Sequence, residues 1–353
     1  MEESLQLEKA IYNRKIKRNA LIVVALIILL FVAVLVAISV GTKSVNIKTV
    51  MGVLFENVFP NEEITNVQRQ IVINIRIPRV VAAVLAGMLL SNAGLLMQCI
   101  LQNPLASPYT LGVSNGAALG ASIAIVFSSI LGAAAYSPYI IPIFAFAFAT
   151  ITMLLVFGIS KISRNATWTL LLGGVAIGYL MSSLTSLIKY MADTVKLPEL
   201  VFWSLGSLTG LPWEAIFIML GMAVISNVFM LYYALDLNAM PLGEETAVSL
   251  GINYKKMRQL SFIFATLMTA VSVAFTGVIG FVGLVAPHLS RMIIGNDFRL
   301  QVWTSGIIGG LLLLISDTVA RTIIAPTELP VGIITSVLGV PFFLFLIVKR
   351  GRE

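Results

Sequence analysis

An all-α integral membrane fold of ten crossing helices is predicted for this 353-residue chain, and three observations predict it. Hydrophobic residues make up 58% and charged residues only 11%, where a soluble globular chain carries about 25% charged. Mean hydropathy is +0.98. Apolar stretches of about 20 residues, the length that crosses a bilayer, alternate with polar loops. A two-domain soluble enzyme is excluded. Disordered and collagen-like chains are excluded too, because glycine and proline are scattered without period.

The chain divides into a tail at 1–19, a ten-helix transmembrane domain at 20–348 and a tail at 349–353. Spans are predicted over 20–40, 80–98, 112–131, 139–159, 168–188, 213–233, 259–277, 302–320 and 331–348. The first follows a basic run, as a signal peptide would. Its apolar stretch from Leu21 to Val40 is too long for that, and no A-x-A site follows, so it reads as a retained span. In the segment 41–75, VNIKTVMGVLFENVF suits a short interfacial helix. On the second span, Ser91, Asn92 and Gln98 suit hydrogen bonds between helices. Glycines one turn apart, such as Gly174 with Gly178 and Gly306 with Gly310, let helices pack closely. The tenth apolar stretch, FVGLVAPHLSRMII between Gly277 and Gly295, is short and cut by Pro287. It reads as a crossing or as a re-entrant segment shielded by its neighbours.

Loop charges decide the count. With ten spans and both termini cytoplasmic, most of the 23 basic residues, Lys15, Arg18, Lys255, Lys256 and Arg350 among them, fall inside. That is the expected bias. The net charge of +7 therefore reports topology, and no nucleic-acid partner is read from it.

Catalytic and metal chemistry is scarce. Cys99 and His288 are the single cysteine and histidine, too few for a thiolate or histidine metal site, and no nucleophile–base pair stands out. His288 reads as hydrogen-bonded structure. GTKS at 41–44 lacks the upstream glycine of a phosphate cradle. An ion-coupled transporter would place titratable groups within its spans. Asp317 is the one acid well inside a span, and Arg321, one turn on, suits a neutralised pair.

The inner segment 234–258 carries Leu242, Ala247, Leu250 and Ile252 at near-helical spacing. Gly243 and Gly251 bracket a helix of about two turns, with Gly251 a natural C-cap. On spacing alone, a solvated connector and a docking element are both open. A weak repeat at an offset of 183 residues sets Gly94, Leu101, Pro104, Ser107 and Gly112 on Gly277, Leu284, Pro287, Ser290 and Gly295. An offset of five spans predicts two pseudo-repeated, inverted halves.

Several stretches together resemble the FecCD-type permeases of binding-protein-dependent ABC importers: RIPR at 76–79, AGLLMQCILQNPLASPYTLGVSNGAALG at 93–120, LLLGGVAIG at 170–178, LGEETAVSLG at 242–251, GFVGLVAPHLSRM at 280–292, SDTVAR at 316–321 and ELPVGIITSVLGVPFFLFLI at 328–347. Such importers take up iron–siderophore complexes, haem or cobalamin. The resemblance implies a homodimer with the pathway on its two-fold axis, lined by the fifth and tenth spans. It also implies two ATPase subunits on the cytoplasmic face, holding ATP and magnesium, and a soluble binding protein outside. This chain would need no cofactor or metal of its own. Leu242, Gly243, Glu244, Ala247, Leu250 and Gly251 fall on the family's coupling helix. Arg76, Arg79 and Arg321 fall on outer arginines that receive acids of the binding protein; Arg76 and Arg79 also suit anchoring of the second span. Thr167 and Trp168 fall on the inner gate, where bulky Trp168 departs from the small residues of the family and also suits an interfacial anchor.

Overall fold

The structure, a computed structural model, describes residues 2–41, 47–54, 64–128, 137–162 and 167–350. Every regular element among them is helical. In order they are α1 (Glu2–Ser39), α2 (Ile47–Leu54), α3 (Asn66–Gln70), a π-helical turn (Ile71–Arg76), α4 (Ile77–Ile100), a 3-10 turn (Pro108–Leu111), α5 (Val113–Val126), α6 (Ile140–Ile162), α7 (Thr167–Met191), α8 (Leu197–Leu205), α9 (Trp213–Tyr232), α10 (Ala234–Ala239), a second 3-10 turn (Met240–Leu242), α11 (Glu244–Ser249), α12 (Tyr254–Thr276), α13 (Val282–Ile294), α14 (Phe298–Thr322) and α15 (Val331–Arg350).

Seven stretches are long and apolar enough to cross a membrane: Lys17–Ser39 of α1, Asn66–Ile100, α6, α7, α9, α12 and α14. Three shorter apolar helices, α5, α13 and Val331–Phe345 of α15, bring the described total to ten. α2 is the short helix expected after the first span, seated on Val50 and Val53. Among the described residues the helix of the third span starts at Val113 and runs to Val126, about 21 Å at 1.5 Å per residue, with 101–112 running in ahead of it. One expectation needs correction. Pro287 does not cut the tenth stretch; it lies inside α13, and the break falls earlier, at residues 277–281. Proline lacks the N–H that would have bonded the carbonyl four residues back. Gln98 Nε2 reaches that carbonyl, on Gly283, at 3.4 Å.

α4 is the hub, with Ala82, Ala83, Ala86, Ala93 and most of its length buried against α14, α12, α13 and α9. Small residues set the approach. A Cβ on Gly87 would lie 2.3 Å from the Gly309 carbonyl oxygen, and one on Gly94 would lie 1.7 Å from that of Gly283. With no hydrophobic drive between helices in lipid, such backbone contact and buried polar bonds hold the bundle. Ser91 donates to the Ser305 carbonyl at 2.7 Å and Asn92 to Asn227 Oδ1 at 2.9 Å.

The sequence α4, α5, α6, α7 (long, short, long, long) recurs as α12, α13, α14, α15. α4 leans on α13 and α14, and α12 leans on α5 and α6. The two hubs run antiparallel, since Gln102, just past the end of α4, donates to Tyr254 at the start of α12. The inverted halves are therefore present, but the 183-residue register is not theirs. Gly94 is mid-helix whereas Gly277 caps α12, and Pro104 is in a loop whereas Pro287 is helical.

Candidate functional site

Contacts along α4 define two ends of the molecule, named inner and outer after the sidedness that the loop charges predict. At the inner end, α10, the 3-10 turn and α11 form a shoulder between α9 and α12. Gly243 enters α11 at φ +103° and Gly251 leaves it at φ +84°, backbone that L side chains rarely adopt. α11 has six residues, shorter than the two turns expected, and its C-cap is Leu250, with Gly251 one residue beyond. Ala247 is fully buried and pins the helix, while Leu242, Val248 and Leu250 are each more than half exposed. The predicted apolar stripe is thus split: Ala247 faces in, Ile252 is half-buried, and Leu242 and Leu250 face out. Val248, which the spacing argument missed because it lies off that stripe, completes the exposed patch. Glu244 and Glu245 occupy the first turn, where the helix dipole favours negative charge.

At the outer end stands an arginine cluster. Arg79 of α4 holds Asp317 of α14 through Nε at 2.9 Å and Nη2 at 2.9 Å, and Nη1 reaches Glu328 at 2.8 Å. Arg321 pairs with Asp317 at 3.1 Å, as the i+4 spacing predicted. It also donates to the carbonyls of Ala37 and Val40 at the end of α1. Arg76 donates to those of Ile38 and Ser39. All three arginines are under 8% exposed and Asp317 is fully buried. They brace α1, α4 and α14 against one another. Two carboxylates, Asp317 and Glu328, and the carbonyls at the end of α1 accept from these arginines.

Between the ends lies a cavity of about 620 Å³ bounded by α8, α15 and the two segments that precede the short helices. Ser107, Tyr109, Thr110 and Ser336 give it hydroxyls, and Leu105, Phe281 and Val337 give it apolar wall. Phe281 sits at φ +67°, a strained conformation for an aromatic residue. Its ring packs where a Cβ on Gly339 would otherwise lie. These residues lie within the stretches that carry the family resemblance, but none was given a role from sequence, since they bear no charge that would mark a site. Of the gate pair, Thr167 opens α7 and Trp168 is 74% exposed beside it. Residues 163–166 lie outside the described residues. His288 faces the Phe342 ring edge-on at 6.3 Å.

A ten-crossing bundle with an exposed inner shoulder has known counterparts. The chain matches the FecCD transport family over residues 28–349. It is 36% identical to the hemin transport system permease HmuU of Yersinia pestis, covering 93% of this chain and 95% of that one. It is 38% identical to the cobalamin import system permease BtuC of Halobacterium salinarum, covering 80% and 74%. Among solved structures, an inward-facing metal-chelate type ABC transporter superposes with a TM-score of 0.80 at 31% identity, over 93% of this chain and 99% of that one. Those relatives are transport permeases rather than enzymes. With a match that runs through nearly every helix described above, this chain belongs to the FecCD transport family.

Proposed function

We propose that this chain is the membrane permease of an ATP-driven importer for an iron(III) chelate, with haem and cobalamin as the next candidates. The observation that carries the coupling is the α11 shoulder, where buried Ala247 holds an apolar patch of Leu242, Val248 and Leu250 out at the inner end. An exposed apolar patch of this kind suits a partner's groove. The partner is an ATPase subunit that supplies the missing phosphate cradle. Closure of two such subunits pushes α11 as a rigid element. Two copies of this chain set α7 and α15 about a shared axis, and the 620 Å³ cavity beside α15 lines each side of the path. Weak, mostly apolar walls suit a bulky chelate, leaving selectivity to a binding protein outside. That protein meets the outer loops, with half-exposed Glu328 as the link to braced Arg79, Arg321 and Arg76. Both termini lie in the cytoplasm, by the loop charges.

The first test is a detergent pull-down of tagged chain from its own membranes, read by mass spectrometry. A stoichiometric ATPase with a phosphate-binding loop is expected. Homogeneous chain without one would overturn the reading and return the ion-coupled carrier, for which Asp317 offers little: both of its oxygens are held by arginines.

A further inference from the structure

A second cavity, of about 400 Å³, opens at the inner end among α4, α10, α13 and α14. It takes no wall from α7 or α15 and so stands apart from the larger cavity. Its lining is unusual for the interior of a membrane bundle: Arg291 together with the amides of Gln98, Asn103, Asn238, Asn296 and Gln301.

Three of its donor groups lack a full set of acceptors among the described residues. Arg291 Nη2 donates to Gln98 Oε1, its Nε is buried without a partner, and no carboxylate pairs with it among the described residues. The Asn103 side-chain oxygen is taken by the Leu105 N–H at 3.0 Å. That of Asn238 is taken by the Phe298 N–H at 2.8 Å. Each pinned oxygen fixes its amide, and each Nδ2 group is left with no acceptor among the described residues. A guanidinium and two oriented amide donors therefore converge on one space from α13, from the loop after α4 and from α10. A partly buried cation without a counter-charge is expensive, and its buried, unpartnered Nε adds to the cost.

We propose that this cavity binds a phosphate-type oxoanion, either free phosphate or the headgroup of a phospholipid. Several oxygens on one centre meet donors arriving from three directions, and Arg291 supplies the matching charge. The position at the inner end of α13 and α14 is where a basic pocket between spans meets lipid headgroups.

The test uses the full-length chain purified in detergent. Thermal melting is followed with inorganic phosphate against chloride at matched ionic strength, and retained phospholipid is counted by native mass spectrometry after phosphatidylglycerol is added and washed out. Two variants are compared, Arg291→Gln and Asn103→Asp. The second keeps the oxygen that accepts from Leu105 and puts a carboxylate on the cavity wall, so it folds even if the first does not. Stabilisation by phosphate identifies the free anion; one retained phosphatidylglycerol without a phosphate effect identifies the headgroup. Either is expected to weaken by about tenfold or more in both variants, the loss of one charge-assisted bond. The proposal is overturned if wild-type chain shows neither effect, or if the effect persists unchanged in a folded Asn103→Asp.

Discussion

Removing the Arg79 side chain would leave Asp317, fully buried, with half of its compensation and Glu328 with none from α4. Breaking a buried ion pair at one partner costs about 3–5 kcal/mol. Arg79→Ala is therefore expected to lower the melting temperature of the chain in detergent, and Arg79→Lys to lower it less. Lysine restores charge but cannot span both carboxylates with a planar fork. Equal melting of Arg79→Ala and wild type would remove the brace from the account of this fold. Asp317→Asn separates two readings at the same residue. It strands two arginines, so a stability loss with transport still dependent on ATPase fits the brace; uptake turned sensitive to an ionophore would fit an ion carrier. The i+4 spacing made the Asp317–Arg321 pair legible from sequence. Arg79, 238 residues away from Asp317, was not, because only the antiparallel packing of α4 on α14 brings it there.

α11 depends on its two flanking glycines and on one buried alanine. Gly243→Trp forces a side chain onto φ +103°, a strain of order 1–3 kcal/mol, although nothing lies within 4 Å of the added Cβ. The change should distort this shoulder and leave the bundle assembled. Glu244→Arg sets a cation at the positive end of the helix. Both variants are expected to hydrolyse ATP with partner subunits in proteoliposomes while uptake falls; unimpaired uptake in both would dismiss α11 as the coupling element. Spacing located this helix and its glycines because a loop helix must announce its caps locally. Which apolar residues face out was beyond spacing, since α11 is anchored by Ala247 alone and turns Leu242 and Leu250 outward. The short helix α13 shows the same divide: glycine and proline flagged a break near it, and packing placed that break at 277–281 instead of at Pro287.

At the scale of the molecule, the inverted arrangement of α4–α7 and α12–α15 builds one cavity on the side of α8 and α15 and one at the inner end. The larger cavity adjoins strained Phe281 and glycine-lined α15, so a bulky residue there has little room to relax. Ser336→Trp is expected to cut uptake severalfold while ATP hydrolysis by the assembled complex continues. Uptake at the wild-type rate would move the path elsewhere.

The sequence by itself determined the membrane class, ten crossings, the inner loop helix and the absence of a phosphate cradle. Hydropathy, loop charge and caps are properties that each segment carries alone, and lipid leaves a chain of this composition little but helices to form. The tertiary structure alone decided which arginines are buried, which glycines touch and which amide donors face Arg291. Those depend on the crossing of helices far apart in the chain, and no local pattern of apolar residues records which face of a helix meets which neighbour.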